Sequence, residues 1–484
     1  LRGDPRDCPD DMRTCDDGKQ KVCPYGKIVI CMKKQLVTVI LLLFSSSACL
    51  AGDFLSISGR LDLLGVVALE SDSIMEDPSF TGRLKIDTPP SKWSLHSWLE
   101  GGWDGSVKLP AKDHSLLKLY DEVYQSNTPW LEFKEFYLSF SAKDLELRAG
   151  VQRYSWGRLD EYPINDLLNP WDYTRFILRT LEDRKIGAPS LSANLNKDNW
   201  SLDAVWIPRF VPYRLAMPDE RWSGVPGISA LLHIPNAEVI PDEPNLPSRT
   251  FNNGVFGLRV RHAGEIEWAL NFFHGYDPRP VVKTTSLVIN PQPGKVLVDA
   301  GYVPDFHKMT SIGMDAAAVK GDCSLRAETA YSFNRWFNTR QELWGYPPSP
   351  GPGVFPLNPN EHKSDTLDYG VAADYRIIED VLLTMQAQQT VVIHRPDTLY
   401  VRQFETLLWA NLKVFWMNQK VETNLNLAYN PEHGDGMAKA NAWYIFTDSW
   451  KAGLMMVVFT GPPQSMFGRF SKNDQVEAEL VYSW

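Results

Sequence analysis

The stretch DQVEAELVYSW, residues 474–484, decides how the rest of this chain is read. Val476, Ala478, Leu480, Tyr482 and Trp484 fall on one side of an extended backbone, because successive side chains of a strand point to opposite faces. An edge strand of a soluble sheet alternates in the same way, so these residues alone leave two fold classes open. What separates the classes is how often the pattern recurs and what lies between the recurrences.

The period of two runs through the chain. In LELRAGVQ, Leu145, Leu147, Ala149 and Val151 oppose Glu146, Arg148 and Gln152. In NWSLDAVW, Trp200, Leu202, Ala204 and Trp206 oppose Ser201 and Asp203. In CSLRAETAY, Leu325, Ala327 and Tyr331 oppose Arg326 and Glu328, and in VETNLNLAYN, Val421, Leu425, Leu427 and Tyr429 oppose Glu422, Asn424, Asn426 and Asn430. Segments of about 10 residues with one apolar and one polar face are the pattern of transmembrane β-strands. Short polar links recur before them: SAKD, NKDN, HAGE, KGD, IED and MNQK precede Leu145, Trp200, Ile266, Cys323, Val381 and Val421. Long segments rich in Pro and Gly separate the hairpins, such as Pro208 to Arg249 and Phe337 to Lys363. Soluble domains seldom hold many loops beyond about 12–15 residues. A membrane barrel needs the alternation, with tight turns at one rim and long loops at the other. The expected fold is all-β, a transmembrane antiparallel β-barrel of roughly 16–18 strands with long extracellular loops.

Composition agrees. The 484 residues carry a formal net charge of −10, and no basic face points to a nucleic-acid partner. The 17 Trp, 18 Tyr and 22 Phe suit the aromatic girdles of a barrel as well as a soluble core. The most apolar run, MKKQLVTVILLLFSSSACLAG from Met32, is shorter than the about 20 residues of a spanning helix. Lys33 and Lys34, the apolar Leu36 to Phe44 and the small residues after them read as a signal peptide over 32–51, cut after Ala51. A buried helix is the plainer alternative. Residues 1–31 then read as an upstream extension with Met32 as the start, and 52–484 as the barrel. Cys8, Cys15, Cys23 and Cys31 lack the close pairs of zinc modules, and Cys49 lacks the large aliphatic residue usual before a lipidated cysteine. Only Cys323 falls after residue 51, so no disulfide framework is expected.

A bilayer offers no hydrogen-bond partner, so a spanning sheet closes on itself. Closure brings Arg148, Arg259, Glu267, Arg326 and Glu328 into a wet lumen. Facing lipid at the midplane, each Arg or Lys would cost about 2–4 kcal/mol. The most distinctive segment is RAGVQRYSWGRLDEYPINDLLNPWDYTRFILRTLEDRKIG, residues 148–187. It leaves the sheet after Gln152; its second half reads as a turn and then a short helix, with Asp172 as the cap and Phe176 and Leu178 among its apolar positions. Residues 154–185 are expected to fold inward and narrow the lumen, rather than remain a solvated loop held by surface ion pairs. The candidate pore-lining or constriction residues are Arg148, Gln152, Arg153, Arg158, Asp160, Glu161, Asp172, Arg175, Arg179, Glu182, Arg326 and Glu328, since rings of such charges set selectivity.

Enzyme motifs are missing from the sequence: no Gly-x-Ser-x-Gly elbow, no HExxH and no Walker loop. His262, His274, His307 and His394 lie near turns or loops without ligand spacing, and HGDGMAKAN from His433 is too short for a calcium loop. No catalytic residue, metal or cofactor is assigned. A Ser/His/Asp set drawn from distant strands keeps an outer-membrane hydrolase as an alternative.

Gly150, Gln152, Trp156 and Gly157, followed by INDLLNPWD, resemble the third-to-fifth-strand region of bacterial outer-membrane porin-like barrels. This broad group includes families often found near RND-type exporters, with more distant similarity to alginate-export and general porins. EFYLSF (135–140) resembles their preceding strand, and FTGPPQSMFGRFSKNDQVEAELVYSW their closing hairpin, with Gly461, Phe467, Gly468 and Asp474 in place. Tyr482 and the final Trp484 resemble the terminal signal read by the outer-membrane assembly machinery. The resemblance implies a channel or export partner in the bacterial outer membrane, surrounded by its lipid, and does not name the cargo; the signal, the polar lumen faces and the terminal aromatic make a channel for small polar solutes the leading expectation. Its alternative is a scaffold or exit duct for an exporter, electron-conduit or other periplasmic partner. Arg158 stands where relatives carry an acidic residue, so no substrate preference is carried over.

Overall fold

The computed structural model describes residues 55–69, 76–105, 123, 129–216, 220–223, 244–292, 295–339, 353–356, 360–463 and 465–484. Gly52–Trp484 forms one compact unit. The expected signal peptide at 32–51, the extension 1–31 and the cysteines within them lie outside the described residues.

Alternating sequence gives strands throughout. They are β1 (Ser56–Ala68), β2 (Glu76–Asp87), β3 (Trp93–Asp104), β4 (Trp130–Ala142), β5 (Leu145–Gln152), β6 (Ala188–Lys197) and β7 (Trp200–Ile207). Next come β8 (Val255–His262), β9 (Ile266–Tyr276), β10 (Val281–Gln292), β11 (Lys295–Asp305), β12 (Lys308–Lys320), β13 (Cys323–Asn338) and β14 (Gly353–Pro356). The last are β15 (Glu361–Ile378), β16 (Val381–Val392), β17 (Phe404–Trp416), β18 (Val421–Asn430), β19 (Asp435–Ile445), β20 (Trp450–Thr460) and β21 (Gln475–Ser483). Eighteen of them form one antiparallel sheet in which β1 pairs with both β2 and β21, so the sheet is a closed barrel. β10, β11 and β14 form a separate three-stranded sheet in the connections that follow β9 and β13.

The turns sort the two rims. β4–β5, β6–β7 and β12–β13 reverse within two residues, with positive φ at Lys143 (50°), Asp198 (53°) and Gly321 (60°). At the same rim the ends of the sheet meet, where Gly59 and Trp484 exchange backbone hydrogen bonds of 3.1 Å. The opposite rim carries the long connections, among them 153–187 and 208–254. The segment Phe337 to Lys363, read from sequence as a loop, is partly strand: β13 runs to Asn338 and β15 begins at Glu361.

Burial is inverted relative to a soluble protein. Leu138, Leu202, Leu270, Ile312, Leu325, Val371, Met385, Leu427 and Leu454 are exposed on the outer face. Glu100, Glu132, Asp315, Glu328, Thr366 and Gln386 are buried on the inner one. An apolar exterior and a polar interior are what a barrel needs when its outer solvent is hydrocarbon. At the short-turn rim Trp93, Trp200, Tyr375, Trp416, Tyr444 and Trp450 are exposed, in the positions of an interfacial girdle. Tyr482 and Trp484 join it, their rings 5.6 Å apart, with Trp450 4.6 Å from Tyr482. The indole of Trp484 lies across Gly59, where a Cβ would come within 1.9 Å of the ring.

Candidate functional site

Residues 153–187, which connect β5 and β6, lie inside the barrel. The neck is fixed by two amides. Gln152 Nε2 donates to Ser190 O (3.0 Å), and Ser192 Oγ donates to Gln152 Oε1 (2.8 Å). Asn169, fully buried, donates to Gln152 O (3.1 Å) and Ile186 O (2.8 Å) and accepts from Tyr154 N (2.5 Å), so the outgoing and returning strands of the loop are clasped together.

Beyond the neck the chain turns at Gly157, whose φ of 99° strongly favours glycine. It then meets the wall at Glu328 of β13. That carboxylate accepts the backbone N–H groups of Arg158, Leu159 (2.6 Å) and Asn165 (2.9 Å). Arg158 Nε donates to Asp315 (2.6 Å, β12) and its Nη1 to Glu267 (2.9 Å, β9). Arg326 donates to Arg158 O (2.6 Å), Asp160 (2.7 Å) and Asp374 (2.7 Å). Gln386 of β16 accepts from Asp160 N (2.9 Å) and donates to Glu161 O (2.6 Å). Arg326, Glu328 and Asp374 sit near the short-turn ends of their strands, so the loop reaches deep into the lumen from the long-loop rim.

The returning half holds the other wall. Arg175 and Arg179 donate to Asp104 of β3 (2.7 and 3.1 Å), and Asp183 pairs with Arg83 of β2 (2.7 Å). Arg153 pairs with Glu135 (3.2 Å) and lies 4.1 Å from the Trp98 ring centre. Arg214, from the next long connection, bridges Asp172 (3.2 Å) and Glu132 (3.1 Å). Within the loop Arg184 pairs with Glu161 (2.6 Å), and Lys185 with Asp166. Apolar packing completes the wedge. Trp156, Leu168 and Ile186 pack with Val205, Ile207, Val255, Phe273 and Met309, while Ile177 and Phe176 pack with Leu407, Met437, Phe459 and Phe470. The loop therefore touches walls on opposite sides of the barrel. Burial raises the Asp166 carboxyl above its usual range against the pull of Lys185. At Asp183 burial acts the same way but is outweighed by Arg83 and the Thr180 hydroxyl, which hold it low.

The helix expected from Asp172 is corrected. Within this segment only Leu181–Arg184, α1, is α-helical, and Thr180 caps it by accepting from Asp183 N. Asp172 closes a tight turn, accepting from Thr174 N (3.0 Å), and binds Arg214. A continuous helix is interrupted at Phe176, which has a φ of 50° and whose ring packs against Phe470 (4.5 Å) in the connection between β20 and β21. The structure brings Arg153, Arg158, Asp160, Glu161, Asp172, Arg175, Arg179, Arg326 and Glu328 into the loop–wall network, with Gln152 at its neck. Arg148 stays on the wall, paired with Glu146 (2.8 Å), and the Glu182 side chain is exposed, 3.6 Å from Arg153.

Sequence reading missed Asn169, an unremarked amide in LLNPWD, and a cluster at the long-loop rim. There Asp305, His307 and Glu361 bring ligand atoms within 4.8 Å of one another. Lys283 already supplies the positive charge, pairing with Asp305 and with Glu361 (3.0 Å), and His307 stacks on Trp336 at 4.0 Å.

A closed barrel with an apolar exterior, a polar interior and an inward-folded loop defines the class: a barrel of the outer-membrane type. More narrowly, the family model described as "Protein of unknown function (DUF1302)" matches residues 99–460, and the chain belongs to that family. No curated protein sequence matches it. Solved structures similar to it include Pseudomonas aeruginosa OccK8 (OprE), at 9% identity and a TM-score of 0.48, covering 89% of this chain and 97% of that one. Acinetobacter baumannii OccAB3 is similar at 8% identity and 0.48, covering 89% and 98%. Salmonella typhi OmpF, in complex with daunomycin, is similar at 11% identity and 0.39, covering 89% and 97%.

Proposed function

We propose that this barrel is a channel for small polar solutes in the bacterial outer membrane, with residues 153–187 as the element that narrows its lumen. The observation that carries the reading is the loop's attachment to the inner wall, through Glu328 at its deep end and Asp104 and Arg83 across the lumen. A wall that is polar inside and apolar outside supports it. So does the placement of Tyr482 and Trp484 on the closing strand, where the assembly machinery would engage them. Purified barrel in planar bilayers should give small discrete conductance steps, and a variant with a detached loop should give larger ones. A folded barrel silent in both forms would sink the reading.

The apolar packing of Ile177 and Phe176 against the wall favours a second reading, in which an exporter or periplasmic partner must displace the loop before anything passes. Conductance that appears only when the loop is released would select that duct over a standing pore. Turnover of lipid or peptide substrates by the purified barrel would instead favour the hydrolase alternative.

A further inference from the structure

Most charges facing the lumen around the loop are paired. Lys439 of β19 is not: it faces inward, is partly accessible, and makes no ion pair or hydrogen bond among the described residues. The acids whose field reaches it, Glu161 and Glu477, are held by Arg184 and Gln475, and Arg184 adds a like charge from the loop. Its cross-strand partner is Asn426, and two residues along, Asn441 lies opposite Asn424. These side chains share the inner face, since Leu425, Leu427, Ala440 and Ala442 between them point outward. From β17, Asn411 Nδ2 donates to the carbonyl oxygens of both Asn424 and Asn426 (2.7 Å to the latter). With those oxygens satisfied, the Nδ2 groups of Asn424 and Asn426 have no acceptor among the described residues and remain as donors beside the Lys439 ammonium.

Three donors share this strip with one unpartnered acceptor, the buried Asn441 Oδ1, which a ligand hydroxyl could meet. Toward the short-turn rim the strip continues as Trp443, whose ring lies over Gly453, where a Cβ would come within 2.6 Å of it. The Lys451 ammonium sits 4.6 Å from that ring. The wall thus offers a cation with two amide donors, then an apolar plate with a second cation; the carboxylate opposite that plate, Glu422, is neutralised by Lys413 (3.0 Å). We infer that Lys439, Asn424 and Asn426 form an anion-binding station on the lumen wall, fitted to the carboxylate of a small hydroxylated organic acid whose carbon chain lies along Trp443. The inference rests on the channel reading for its biological use but not for its test. A charge-assisted bond from Lys to carboxylate is among the stronger single contacts, and the amide donors give it direction.

The test uses the folded barrel in detergent and in bilayers, with gluconate as the probe and glucose and chloride as controls. Calorimetry should show gluconate binding that is roughly tenfold weaker in Lys439→Gln and is weakened again in an Asn424→Leu/Asn426→Leu double variant. Heat-modifiable gel mobility confirms that each variant is folded, and Lys439→Arg should retain binding. Glucose should not bind, and chloride should compete only weakly. Absence of gluconate binding to the wild type, or equal binding by Lys439→Gln, overturns the inference. Equal competition by chloride overturns the assignment to a carboxylate. Conductance is judged separately: a silent barrel that still binds gluconate refutes the channel and leaves the station standing.

Discussion

Glu328 does at residue scale what a cap does for a helix end, holding three backbone N–H groups that have no partner in their own segment. Glu328→Ala leaves them without that acceptor, and a buried donor left unpaired costs about 1–3 kcal/mol. The expected outcome is a detached loop tip: larger single-channel conductance and faster proteolysis between Gly157 and Asn165, with the barrel still heat-modifiable. Gly313 tests the same contact without changing charge. A Cβ there would fall 1.8 Å from Asn165 Oδ1, so Gly313→Ala should also lift the tip and raise conductance. Unchanged conductance in both variants would argue that the tip does not obstruct passage. The polar identity of Arg158 and Glu328 and the lumen-facing side of Glu328 are legible from the period of two. Their meeting is not, because they stand 170 positions apart and nothing local in either segment encodes the other.

At the scale of the element, residues 153–187 form a wedge whose one regular element is the single turn α1, held by contacts at both ends. Phe176 gives up a helical backbone for its place among Phe459, Phe467 and Phe470. Truncation to Ala should loosen the wedge by about 3 kcal/mol, the low end for a Phe because the ring is only half-buried, read as protease sensitivity of the loop in an otherwise intact barrel. This is also why the expected helix misleads: the apolar residues 176–178 suit a helix face, but their partners lie on the barrel wall, and that packing outweighs the local preference. Acid should weaken the wedge in a defined direction. The Asp183 carboxyl is held below its ordinary value, so its pairing with Arg83 contributes fully above the unfolded aspartate value of about 3.9 and is lost as pH falls through the lower folded one. The raised Asp166 protonates earlier and works in the opposite sense, since the folded loop binds that proton more tightly than the unfolded chain does. Loop protection from protease should therefore hold from neutrality to about pH 4 and fall below it, and Asp183→Asn should remove the fall.

At the scale of the whole molecule, the closed eighteen-stranded sheet should migrate faster before boiling than after in a denaturing gel, because closure leaves no edge from which to unravel. The seam between β1 and β21 is the place to perturb it. Trp484→Ala removes the indole that lies across Gly59, and the heat-modifiable fraction should drop at equal expression. The architecture is legible from alternation and loop lengths because a bilayer imposes both on any spanning sheet. The contents of the lumen are far less so, since they depend on contacts between distant strands, and Lys439 is a single lysine in AKAN with nothing local to mark it.

The anchors of the wedge are shared among β2, β3, β9, β12, β13 and β16, which no short stretch of chain brings together. Until the cylinder exists, residues 153–187 have only their internal pairs, such as Arg184–Glu161, and none of these anchors. The expected order of maturation is that the wall closes first as an unobstructed ring and the obstruction settles into it last, so a protease should cut 153–187 in assembly intermediates before it cuts the finished barrel. On that order a newly made copy of this protein is open before it is guarded.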